Sequence, residues 1–143
     1  MRSPRDFSFQ EIEEGSEYSE TYRIGDEAIS SLTDVFEDRS PVHVDEVYAR
    51  EAGFEGRVSH GAILNCFLSH FIGMRFPGRR SMLLSANMSY RLPCYAGDEL
   101  VLKAVVKQKV ESAGVVVLDV RFLKGDREEL AASGRVQVKL RDV

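Results

Sequence analysis

Residues 61–74, GAILNCFLSHFIGM, are apolar on nearly every side of a helical wheel. A helix of that length spans ~21 Å. A helix lying on a protein surface keeps a polar face, so this one is expected to be wrapped by other structure. Cys66 sits inside the run and is expected to pack there. His70, among Leu68, Phe71 and Ile72, reads as a core or interface histidine. Phe76-Pro77-Gly78 ends the segment.

The material for the wrapping follows directly, where the apolar period changes from 3.6 to 2. Met82, Leu84, Ala86, Met88 and Tyr90 alternate with mostly polar residues. The pattern recurs at Leu100, Leu102, Ala104 and Val106, at Val116, Leu118, Val120 and Phe122, and from Leu130 to Leu140. Four strands result, each with one apolar face. Their short links favour antiparallel neighbours. Upstream, residues 16–23 are a candidate first strand with poorer alternation, and Asp26 is expected to cap a helix over 27–36 with Ile29, Leu32, Val35 and Phe36 as its stripe. The chain is expected to be one α+β domain over residues 1–143, a curved antiparallel sheet wrapped around a long central helix. Its open sheet edges point to a homodimer, the plainer alternative being a monomeric α+β domain with a conventional flat packing.

Of the 143 residues, 43% are apolar and 29% charged, and the formal net charge is −4. No basic stripe is available for phosphates, which excludes a nucleic-acid partner from the expectation. No run of about 18 apolar residues suggests a membrane span, and the first fifteen residues lack a signal-peptide core. The expected location is cytoplasmic.

A polar stretch, DRSPVHVDEVYAREAGFEGRVSHG, runs from Asp38 to Gly61 into the apolar helix. Asp38 and His43 cannot share a face of one regular helix, but a bend at Pro41 can turn both to one point. A carboxylate and an imidazole there can hold a water and move its proton, their ordinary pKa values being ~3.9 and ~6.5. The plainer alternative is that Asp38 caps a turn and His43 packs at the surface. A short helix capped by Asp45 is expected over 45–51, and Gly53 and Gly56 mark a bend.

Gly61 opens the apolar helix, where N–H groups lack intrahelical partners and meet a partly negative oxygen well. It also lets a ligand approach the backbone closely, though a tight loop-to-helix turn alone would use glycine too. His60 is expected only to shape that turn. The three histidines and scattered acids suggest no metal site, and neither a phosphate-binding glycine pattern nor a serine-hydrolase elbow occurs.

Asp38-Arg39-Ser40-Pro41-Val42-His43, Val44-Asp45, Tyr48-Ala49, Phe54 and Arg57-Val58-Ser59-His60-Gly61 together resemble the MaoC-like dehydratase family, which includes the (R)-specific enoyl-CoA hydratases. The run Tyr90-Arg91-Leu92-Pro93-Cys94-Tyr95-Ala96-Gly97-Asp98-Glu99-Leu100 is similar to the family's strand-turn-strand, and the likeness covers roughly residues 15–140. The resemblance implies a hot-dog fold, a two-subunit unit and reversible hydration of a trans-2-enoyl thioester. It assigns the catalytic pair to Asp38 and His43 and the donor to the thioester oxygen to Gly61. No metal or other cofactor is implied. The substrate would be an acyl thioester of coenzyme A or of a carrier protein, with Arg75, Arg79 and Arg80 as candidates for the coenzyme's phosphates.

The family usually has glycine where this chain has Glu37, and asparagine where it has Ser40. These departures leave two other expectations in play. One is an acyl-CoA thioesterase on the same fold, marked by thiol release. The other is a non-catalytic acyl-thioester binding module, marked by binding without turnover.

Overall fold

The computed structural model describes residues 2–142. Strand β1 (Glu17–Arg23) is followed by helix α1 (Asp26–Phe36), two short helices α2 (Pro41–Val44) and α3 (Glu46–Glu51), and helix α4 (Ala62–His70). Strands β2 (Ser81–Tyr90), β3 (Glu99–Val110), β4 (Val115–Lys124) and β5 (Glu129–Leu140) complete the chain. All five strands form one antiparallel sheet in the order β1-β3-β4-β5-β2.

The period-2 pattern sets the register. Leu102 stands opposite Phe122, Ala104 opposite Val120, and Val106 opposite Leu118. On the next ladder Leu118 meets Val136, Val120 meets Gly134 and Phe122 meets Ala132. Ala104, Gly134 and Ala132 each face a larger residue, and all of these but Gly134 are almost fully buried. Gly134 instead makes room for a neighbouring strand. A Cβ there would collide with the Asn87 carbonyl oxygen, so its absence lets β2 close on β5. Ile63, Leu64 and Leu68 of α4 share this core, together with Phe71, Ile72 and Phe76.

The expected long helix inside a strongly curved sheet is corrected in both parts. The α-helical segment is nine residues long and passes into a π-helical turn over Phe71–Arg75, where the Phe76 N–H donates to the Phe71 carbonyl at 2.9 Å. The sheet is open, neither closed nor strongly curled, with β1 and β2 each laddered on one side only. The result is an α+β, hot-dog-like architecture in which a short helix lies across an open sheet.

The wrapping is also incomplete. Ala62, Asn65, Cys66, Ser69 and His70 face outward, and β2 is exposed on both faces, with Met82, Leu83 and Leu84 each 42–51% accessible. Cys66 is therefore exposed rather than packed, while His70 accepts or donates at Nδ1 to the Tyr22 hydroxyl at 2.9 Å. At α1 the N-cap is Gly25, with Asp26 in the first turn rather than capping. No helix of the described residues is long and apolar enough to cross a membrane.

Candidate active site

The site is assembled by four short pieces of backbone. Helix α1 stops at Glu37, whose φ of 54° and ψ of 22° are left-handed. That reversal delivers Asp38 to the start of the next turn. The Ser40 N–H donates to Asp38 Oδ1 at 3.3 Å, and Pro41 opens α2, where its fixed φ suits the first helical position. One turn later His43 points back toward Asp38. Asp45 then caps α3, accepting from the Tyr48 N–H at 3.0 Å.

The Val58 N–H donates to the Val42 carbonyl at 2.9 Å and the Ser59 N–H to the Cys94 carbonyl at 2.7 Å. These two bonds fix the chain just before α4 between α2 and the turn after β2. His43 Nδ1–H donates to the Val58 carbonyl at 2.7 Å. A carbonyl only accepts, so the proton is on Nδ1 and the free lone pair of neutral His43 is on Nε2. That atom stands 3.9 Å from Asp38 Oδ2, beyond direct hydrogen-bond reach. His43 is mostly buried, whereas the Asp38 carboxylate is about half exposed.

His60 is the residue that sequence reasoning undervalued. It is 4% exposed, its ring stacks on His43 with centroids 3.9 Å apart, and its Nε2–H donates to the Asp38 carbonyl at 3.0 Å. Its partner is a main-chain oxygen 22 positions away, for which no sequence pattern exists. Asp38, His43 and His60 bring potential metal-binding atoms within 4.8 Å of one another. The His60 Nε2 proton is already engaged and the two rings are nearly parallel, so their lone pairs do not converge. With His60 Nε2 engaged, the atoms left free to face one another are His43 Nε2 and the Asp38 carboxylate, fewer than the three protein ligands of a catalytic zinc site. The donor set suits a water better than a cation.

His43, His60, Gly61, Leu64, Tyr90 and Cys94 line a cavity of about 350 Å³. Gly61 opens α4 with helical φ and ψ of −58° and −30°. The Ile63 and Leu64 N–H groups donate to the His60 and Gly61 carbonyls at 3.1 Å, so the helix start offers the N–H groups of Gly61 and Ala62. The Tyr90 ring would lie 3.7 Å from a Cβ at Gly61, and its hydroxyl donates to Asn65 Oδ1 at 2.8 Å. The opposite wall is pinned by Lys124, whose ammonium donates to the Pro93 carbonyl and pairs with Asp98, each at 2.9 Å. Burial pushes the Cys94 thiol above the usual cysteine range.

His43 and Gly61 thus share the cavity, and Asp38, which does not line it, stands 3.9 Å from His43. Arg75, Arg79 and Arg80 do not join them, since none lines the cavity. Arg75 Nε lies 2.9 Å from Glu20 Oε2, a charge contact without aligned hydrogen-bond geometry. Arg80 is paired with Asp6 at 2.5 Å, and Arg79 is exposed at the surface. Arg91, singled out by no sequence argument, is exposed and lines the cavity instead.

Comparison with known proteins places the whole chain. An (R)-specific enoyl-CoA hydratase of Aeromonas caviae is 31% identical over 134 residues, 93% of this chain and 98% of the relative. A mitochondrial 3-hydroxyacyl-(acyl-carrier-protein) dehydratase of Arabidopsis thaliana is 29% identical over 122 residues, 84% of this chain and 72% of its own. A solved structure, the (R)-hydratase from A. caviae involved in PHA biosynthesis, matches with a TM-score of 0.85 at 29% identity, covering 92% of this chain and 99% of that one. Residues 8–124 match the family model of the MaoC like domain. With that match over most of its length, and a relative 31% identical along nearly its whole length, the chain belongs to the MaoC-like dehydratase family.

Proposed function

We propose that this protein is an (R)-specific enoyl-CoA hydratase, a lyase that adds water reversibly to a trans-2-enoyl thioester of coenzyme A. The observation that carries the reading is the gap between Asp38 Oδ2 and His43 Nε2 beside the start of α4. The gap is too wide for a direct hydrogen bond and suits one water touching both groups.

In the hydration direction the oxygen of that water bonds to the β-carbon of the substrate. The Asp38–His43 pair takes one of its protons and returns a proton to the α-carbon on the same face. As the β-carbon bond forms, electron density moves onto the thioester oxygen. The N–H at Gly61 and the positive end of α4 stabilise it there, and donors of this kind contribute about 3 kcal/mol in other enzymes. The two groups act as a coupled pair, so one proton inventory describes both.

The thioester's acyl end occupies the space beside Leu64 and Tyr90. The cavity-lining Arg91, rather than the paired Arg75 and Arg80, meets the anionic end of the coenzyme. A second copy of the chain covers exposed β2 and the open side of α4, because unpaired apolar edge strands favour association. Sedimentation should then return the mass of two chains. The reading keeps the expected cytoplasmic location, which two free cysteines suit. Its test is loss of enoyl absorbance from crotonyl-CoA without thiol release; thiol release would mark a thioesterase instead.

A further inference from the structure

We propose that His60 is a positioning residue for this reaction, fixing the Asp38 backbone and the His43 ring through one buried imidazole. The inference rests on the hydratase reading and deepens it. His60 touches both halves of the pair at once. Its Nε2–H donates to the Asp38 carbonyl at 3.0 Å, and its ring lies against His43 at 3.9 Å with an interplanar angle of 25°. Its Nε2 and that of His43 are 4.0 and 3.9 Å from the same Asp38 Oδ2.

His60 Nδ1 is buried and has no hydrogen-bond partner among the described residues. A histidine that only filled space would leave a polar atom stranded at a cost of about 1–3 kcal/mol, which a phenylalanine there would avoid. The imidazole supplies what phenylalanine lacks, a donor to the Asp38 carbonyl. That bond matters because Asp38 follows the left-handed Glu37 and sits on an exposed turn. Stacking serves the other partner. The Val58 carbonyl fixes one edge of the His43 ring, and the His60 face limits its tilt, so Nε2 stays directed at Asp38. Both contacts come from the residue next to Gly61, which ties the pair to the start of α4.

Three substitutions separate the two contacts. His60→Ala removes both, His60→Gln keeps an N–H donor without the ring, and His60→Phe keeps the ring without the donor. With crotonyl-CoA and the full chain, His60→Ala is expected to lower kcat about 100-fold with KM within about 3-fold, the scale of a small misplacement of reacting groups. His60→Gln and His60→Phe should each recover part of that loss. Thermal melts identify any variant that is simply unfolded.

Nitrogen NMR of the histidine rings gives a readout independent of turnover. The wild type should carry the His60 proton on Nε2 and the His43 proton on Nδ1, and His60→Phe should keep the His43 tautomer where His60→Ala broadens or mixes it. Folded His60→Ala with wild-type kcat, or a wild-type spectrum with the His60 proton on Nδ1, would overturn the proposal. If the wild type hydrates no enoyl thioester, the hydratase reading fails. The effect of His60→Ala on the His43 ring would still decide whether His60 positions it.

Discussion

Asp38 Oδ2 and His43 Nε2 face each other across 3.9 Å, and each is held by a bond on its far side. The other oxygen of Asp38 accepts from the Ser40 N–H at 3.3 Å, and the other nitrogen of His43 donates to the Val58 carbonyl at 2.7 Å. The free atoms are therefore directed toward one another without bonding. This is the arrangement of a pair kept available to a third group.

Gly61 separates a steric role from a structural one. Its φ of −58° suits any residue, and a Cβ would meet only the Tyr90 ring at ordinary contact distance. Gly61→Ala should fold with stability within about 1 kcal/mol of wild type. Gly61→Val should lower kcat/KM at least about 100-fold, because its branches occupy the place of the thioester oxygen. Steady-state kinetics beside thermal melts check this, and a fully active Gly61→Val would remove Gly61 from the site.

Glu37 occupies a left-handed position where the family resemblance expects glycine. A non-glycine residue there costs roughly 1 kcal/mol. Glu37→Gly should raise the melting temperature by a few degrees, offset in part by the freedom glycine adds to the unfolded chain. An unchanged or lowered midpoint would show that the Glu37 side chain supplies a compensating contact.

Lys124 holds the cavity wall at Pro93 and Asp98. Burial alone would lower its pKa, but the hydrogen bond and charge of Asp98 outweigh that and raise it above the ordinary lysine range. A raised folded value means the stabilisation is fully present below the ordinary lysine pKa and is lost as pH climbs through the folded one. Lys124→Met should cost about 2 kcal/mol near neutral pH, with the gap to wild type narrowing in strongly alkaline solution. Denaturant titrations at several pH values test the sign, and a gap that widens with pH would contradict it.

The last four strands were legible because each carries its own alternation: Leu100, Leu102, Ala104 and Val106 are inward and almost fully buried as the period requires. For β2 the same period located the strand but not its burial, since an edge strand has no neighbour in this chain to cover it. The apolar run at 61–74 located a helix but overstated its length and its burial, since α4 ends at His70 and keeps one side exposed. Composition carries no sign of the π-turn at Phe71, nor of which side stays open. At the candidate site, local spacing and resemblance singled out Asp38, His43 and Gly61, of which His43 and Gly61 line the cavity. The pairing of Arg75 with Glu20 and Arg80 with Asp6 depends on contacts across the fold, as does the His60 bond to a main-chain oxygen.

The most direct test follows the loss of crotonyl-CoA absorbance with wild type, Asp38→Asn and His43→Ala, each confirmed as folded. The account predicts hydration by the wild type, a loss of at least about 100-fold in kcat for each variant, and no thiol release. Wild-type turnover retained by either folded variant would contradict the acid–base pair. A folded wild type that binds the thioester but never hydrates it, or that frees its thiol, would contradict the hydratase itself.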